Sequence, residues 1–150
     1  MILFLDFDGV LHPETIERGD ELFCCCSHLW SVLEALPSVE VVFATTWRNK
    51  YRFEELVALV TAGGGEYLAS RFVGATPDVL RNASGDTYRN REVECLAWLC
   101  GNGQSSREWI AVDDVASGFS FPQPRLVLID PAMGLTANDV DRVLARLREC

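Results

Sequence analysis

Apolar residues in this chain fall into two rhythms. Short continuous apolar runs occupy Ile2–Leu5 and residues 39–44, 109–112 and 126–129, with a weaker candidate inside 67–73. Runs of that length bounded by polar or turn-forming residues predict buried strands. Between them the spacing changes to three and four. Leu29, Val32, Leu33 and Leu36 predict a first helix, with Ser27 as its N-cap and Pro37 as its stop. Phe53, Leu56, Val57 and Val60 predict a second, ended by Gly63, Gly64 and Gly65. Val93, Leu96, Ala97 and Leu99 predict a third, ending near Gly101. Val140, Val143, Leu144 and Leu147 predict the last, capped by Thr136 with Asp139 three residues on.

Strands alternating with helices imply βαβ units. The expected fold is therefore α/β: a doubly wound, Rossmann-like parallel sheet of about five strands with helices on both faces. With 150 residues and 49% apolar content, residues 1–150 are expected to form a single domain with a proper core. No apolar stretch approaches the ~20 residues that span a bilayer. The first apolar run has no basic region before it, so we expect a core strand rather than a signal peptide, and no membrane partner. The net charge of −9 argues against broad, nonspecific binding of nucleic acid, while leaving room for a local basic pocket. Six cysteines without a secretory signal predict free thiols in a reducing, cytoplasmic setting. Cys24, Cys25 and Cys26 match no zinc spacing and read as small packing residues.

In a doubly wound sheet the carboxyl ends of all the strands share one edge, and ligands bind there. Asp6 and Asp8 close the first run, just before Gly9, where the chain is expected to turn. Thr45 and Thr46 close the second, and Asp113 and Asp114 follow the run at 109–112. Arg89, Arg91 and Lys50 lie close enough in sequence to reach the same edge. These residue types suit phosphoryl transfer, which needs an in-line nucleophile, a cation and positioned donors. Asp6 is placed to attack phosphorus. Asp8 is placed to protonate the leaving oxygen and then to deprotonate water, and the neighbouring acid is expected to raise its pKa. Asp6 with Asp113 or Asp114 offers the hard oxygen ligands that Mg²⁺ prefers. Thr45 can donate to a phosphoryl oxygen, with Thr46 the alternative, and an arginine can pair with the phosphate.

In this order the motifs resemble the haloacid dehalogenase (HAD) superfamily of aspartate-nucleophile phosphatases. Asp6-Phe7-Asp8-Gly9 matches the first motif, the apolar strand ending at Thr45 the second, and the apolar strand ending at Asp113-Asp114 the fourth. The third motif, a basic residue before a helix, is met best by Arg89, which lies just before the predicted helix, with Arg91 behind it. The resemblance implies Asp6 as nucleophile, Asp8 as acid/base with its main-chain carbonyl on Mg²⁺, and Asp113 or Asp114 as a further metal ligand. The segments DFDGVLHP, TTWR and IDPAMGLT also resemble a branch of the superfamily found in RNA-repair-type proteins. Residues 11–38 and 49–88 are too short for a substantial cap domain. In this superfamily an open site goes with large or exposed phosphorylated substrates.

Around these residues stand softer assignments. His12 has two readings, a substrate contact at the site mouth or a structural loop histidine. Trp47 and Arg48 are placed to line the pocket, while Trp30, Trp98 and Trp109 read as core. Residues 119–124 read either as a substrate lip or as packing. A signalling receiver domain is disfavoured, because no Lys follows Lys50. A dehalogenase would not need Asp8. A catalytically silent domain of this fold that binds phosphate and Mg²⁺ is the alternative, and a nucleic-acid-end phosphatase is the narrower one.

Overall fold

In the computed structural model, residues 1–79 and 90–149 are described. Five strands form one sheet: β1 (Ile2–Leu5), β2 (Glu40–Phe43), β3 (Phe72–Ala75), β4 (Trp109–Asp113) and β5 (Leu126–Leu128). The order is β3-β2-β1-β4-β5, and each neighbouring pair is parallel. Four helices accompany them: α1 (Cys26–Ala35), α2 (Phe53–Thr61), α3 (Asn90–Gly101) and α4 (Ala137–Glu149). Among the described residues there is no separate cap domain. No helix among them is long and apolar enough to cross a membrane.

The two faces of the sheet differ. Side chains alternate across a strand, so Leu3, Leu5, Val41, Phe43, Ile110 and Val112 turn to one face, where they pack with α1, α2 and α4. Ile2, Phe4, Val42, Ala44, Trp109 and Ala111 turn to the other, where Cys95, Trp98 and Leu99 of α3 cover them. Phe4 meets both Trp98 and Trp109 edge to face, with ring centroids 6.0 and 5.6 Å apart.

Three sequence expectations need correction. The weaker strand candidate begins only at Phe72; residues Glu66–Arg71 form a 3-10 turn instead. There the Glu66 carboxylate accepts from the backbone N–H of Gly63 and Gly64, winding the chain before it can extend. Second, Ser27 lies inside α1, and Cys25 holds the N-cap position. The Cys25 N–H donates to the Leu11 carbonyl, so a tertiary contact fixes where that helix begins. Third, Val93 and Leu96 do not mark the buried stripe of α3. Both are about half exposed, and Glu94, Cys95, Trp98 and Leu99 face inward. The final helix starts as expected: Thr136 and Asp139 bond reciprocally, with the Thr136 hydroxyl donating to Asp139 Oδ2 at 2.6 Å.

Candidate active site

Register explains why the acids meet. Leu5 of β1 pairs with Phe43 of β2 on one side and Val112 of β4 on the other. Asp6 is the next residue along, and its N–H still donates to the Val112 carbonyl at 3.1 Å. Asp6 therefore lies level with Asp113, and strand alternation sends both side chains to the α3 face. Gly9 then turns the chain with φ +67°, leaving room for Asp114: a Cβ at Gly9 would lie 2.5 Å from Asp114 Oδ2.

Asp6, Asp113 and Asp114 each bring a carboxylate oxygen within 4.8 Å of the others. Asp6 and Asp113 are buried, and Asp114 is half-buried. Burial first, then the Asp6 charge, pushes Asp113 up to about 7 and Asp114 up to about 6. Asp6 is also raised, by burial above all, against the pull of Arg91, the Phe7 N–H and the Thr45 hydroxyl. Three crowded carboxylates with only oxygen donors make a fitting seat for a hard divalent cation such as Mg²⁺.

One cation is already present. Arg91, in the first turn of α3, places Nη2 2.9 Å from Asp6 Oδ2 and Nε 3.1 Å from Asp113 Oδ2. Burial alone would lower its pKa, yet Asp6, Asp113 and Glu94 together hold it raised. Its backbone is pressed close to the turn after β4, since a Cβ on Gly118 would lie 3.1 Å from Arg91 Cβ. Arg91 thus joins the two buried acids through one guanidinium. Arg89, preferred on sequence, lies outside the described residues. Lys50 is exposed at the end of the 3-10 turn Thr46–Asn49.

Thr45 is fully buried and bonds Asp6, while its Oγ1 accepts from the Trp47 N–H. Thr46 is exposed and lines a cavity of about 240 Å³ with Arg48, Arg91, Glu94, Asp113, Val115, Ser117 and Gly118. Arg48 is buried along most of its length, donating to the Thr45 carbonyl at 2.5 Å and to Glu94 Oε1 at 2.6 Å. The Asp8 carboxylate bonds Trp47 and His12 and adds its charge to the surroundings of Asp6. His12 is buried, with Nε2 3.1 Å from Asp8 Oδ1. Of the loop after Asp114, Phe119 packs into the core and Phe121 is exposed, while the rim of the cavity is built from Val115, Ser117 and Gly118.

Two participants escaped sequence reasoning. Glu94 links the guanidinium groups of Arg48 and Arg91, at 2.6 and 3.9 Å. Its signal was an acid on the same helical stripe as Trp98, where an apolar residue would be expected. Trp47 was read only as pocket lining, yet its indole N–H lies 3.0 Å from each oxygen of Asp8.

A parallel sheet in this order, with acids and a threonine at adjoining strand ends, defines a HAD-type hydrolase domain. Residues 2–140 match the family described as "HAD domain in Swiss Army Knife RNA repair proteins", and the chain belongs to that family. No curated protein and no solved structure matches it.

Proposed function

We propose that this protein is a Mg²⁺-dependent phosphomonoesterase that works through an aspartyl-phosphate on Asp6. The observation that carries the reading is the setting of the Asp6 carboxylate. One oxygen accepts from the Phe7 N–H at 2.8 Å, the other accepts from Arg91, and two further acids stand alongside. A carboxylate so pinned is preorganised as a nucleophile.

Asp6 attacks phosphorus, and the bond to the leaving oxygen breaks as Asp8 gives that oxygen its proton. Asp8 then takes a proton from the water that cleaves the phospho-aspartate. Arg91 supplies donors toward the phosphoryl oxygens as their charge develops, while the Thr45 hydroxyl donates to Asp6 and holds the nucleophile. Asp6, Asp113, Asp114 and the Asp8 main-chain carbonyl would hold Mg²⁺, which when bound neutralises phosphoryl charge and keeps the acids ionised. Residues 11–38 add no cap domain, and the cavity opens beside Thr46 and Ser117, which favours a large or exposed phosphoester. The family's association with RNA repair favours a phosphorylated nucleic-acid end as the narrower substrate class. The net charge of −9 would confine such contacts to local arginines such as Arg48 and Arg91.

Asp6→Asn tests the assignment. With Mg²⁺, turnover of p-nitrophenyl phosphate should fall by more than ~10³-fold, as expected for loss of a nucleophile. Wild-type activity in that variant would remove Asp6 as the nucleophile, whereas a wild-type protein without Mg²⁺-dependent turnover of any phosphoester would point to a binding domain instead. Mg²⁺ assays with nucleotides, sugar phosphates, phosphopeptides and 3′- or 5′-phosphorylated oligonucleotides would identify the substrate.

A further inference from the structure

The Asp8 side chain is 50% exposed, so burial does not fix its orientation. Two groups do, one from the 3-10 turn after β2 and one four residues on in its own loop. The Trp47 indole N–H reaches both carboxylate oxygens at 3.0 Å, and His12 Nε2 lies 3.1 Å from Oδ1. We propose that Trp47 and His12 are positioning residues that aim the Asp8 carboxyl at the leaving-group oxygen. This rests on Asp8 being the acid/base of the reaction above.

Both groups are themselves locked. The Trp47 ring stacks on Tyr51 at 5.4 Å and meets Phe23 at 5.3 Å and His12 at 6.0 Å. The His12 ring is buried against Phe23 at 5.2 Å. The backbone on either side is held as well. Val10 and Leu11 donate to the Phe7 carbonyl, and the Val10 carbonyl accepts from the Leu135 N–H at 2.7 Å. Gly134 makes that last approach possible, since a Cβ there would lie 2.9 Å from Cys25 Sγ and 3.0 Å from the Val10 carbonyl oxygen.

The indole is the milder kind of donor for a group that must carry a proton. It can only donate, so it orients a carboxyl group without adding charge. Any N–H donor favours the ionised form, and an arginine there would favour it far more and blunt the acid. His12 Nδ1 is buried with no hydrogen-bond partner among the described residues. The tautomer with its proton on Nε2 is therefore the one that fits. It donates to Asp8 and leaves Nδ1 as a bare acceptor, whereas the other would bury an unpaired N–H and aim a lone pair at a carboxylate.

In the phosphoryl-transfer step a leaving group that departs unaided does not need Asp8, and one that must be protonated does; hydrolysis of the phospho-aspartate is common to all esters. The test therefore compares Mg²⁺-dependent kcat/KM, which reports the first step, on p-nitrophenyl phosphate and on phenyl phosphate, for wild type, Trp47→Phe, His12→Ala, His12→Gln and Asp8→Asn. Trp47→Phe and His12→Ala should lose less than about threefold in kcat/KM on the nitrophenyl ester. On phenyl phosphate they should lose about 10- to 100-fold in kcat/KM, a fraction of the 10²–10⁴ that general acid catalysis provides. His12→Gln, whose amide nitrogen can stand in for Nε2, should recover most of the loss. Equal losses on both esters in Trp47→Phe, with Asp8→Asn remaining selective, would show a merely structural role and overturn the inference alone. Equal losses in Asp8→Asn would overturn the acid/base assignment itself.

Discussion

Arg91 Nη2 and Asp6 Oδ2 lie 2.9 Å apart although 85 residues separate them in the chain. The same guanidinium reaches Asp113, so one side chain ties the ends of β1 and β4 to the first turn of α3. Arg91→Ala should lower turnover of p-nitrophenyl phosphate at saturating Mg²⁺ by about 10²–10³-fold, the usual loss for a donor aimed at developing charge. Arg91→Lys should lose less, because it keeps the charge but not the forked contact. Steady-state kinetics of the two variants decide this, and undiminished activity in Arg91→Ala would remove Arg91 from the mechanism.

Gly9 should tolerate no side chain. Its φ of +67° costs an L-residue about 1–2 kcal/mol. The added Cβ would also collide with Asp114 Oδ2. Gly9→Ala should therefore lower Tm by a few degrees and raise the Mg²⁺ concentration needed for half-maximal activity. Gly101→Ala, where a Cβ meets nothing within 4 Å, should do neither. A metal titration of Gly9→Ala beside Gly103→Ala, which has the same φ of +67° but meets nothing within 4 Å, separates backbone strain from displacement of Asp114.

The crowded carboxylates also predict a pH signature. Asp113 at about 7 and Asp114 at about 6 lie above their ordinary 3.8, through burial first and the Asp6 charge second. The metal-free folded protein thus holds protons that the unfolded chain has released. Their contribution to stability is complete below about pH 4 and is lost as the pH rises through 6 and then 7. A bound cation requires deprotonated ligands. Stabilisation by Mg²⁺ should accordingly be small near ~pH 5 and grow toward ~pH 8, as followed by thermal melts with Mg²⁺ or EDTA. A Mg²⁺ shift independent of pH would detach these acids from the metal.

Much of the fold was legible because its signals are local. Ile2–Leu5 had to be a buried strand, and Thr136 with Asp139 had to start a helix, since neither depends on distant residues. The chemistry at strand ends was legible for a related reason: once the strands are parallel, Asp6, Thr45 and Asp113 share an edge whatever the loops do. The face of α3 was not legible. Val93 and Leu96 fit the helical period as well as Cys95 and Trp98 do, and only the shape of the sheet beneath selected the latter pair.

The sequence by itself therefore determined the alternation of strands and helices and the set of acids, hydroxyls and arginines at one edge. It could do so because hydrophobic period and motif order are properties of neighbouring residues. Tertiary structure alone decided that Arg91 bridges Asp6 and Asp113, that Glu94 joins Arg91 to Arg48, and that Trp47 and His12 close on Asp8. Those pairings depend on strand register and on which helix face packs down, and both are set by contacts between segments far apart in the chain.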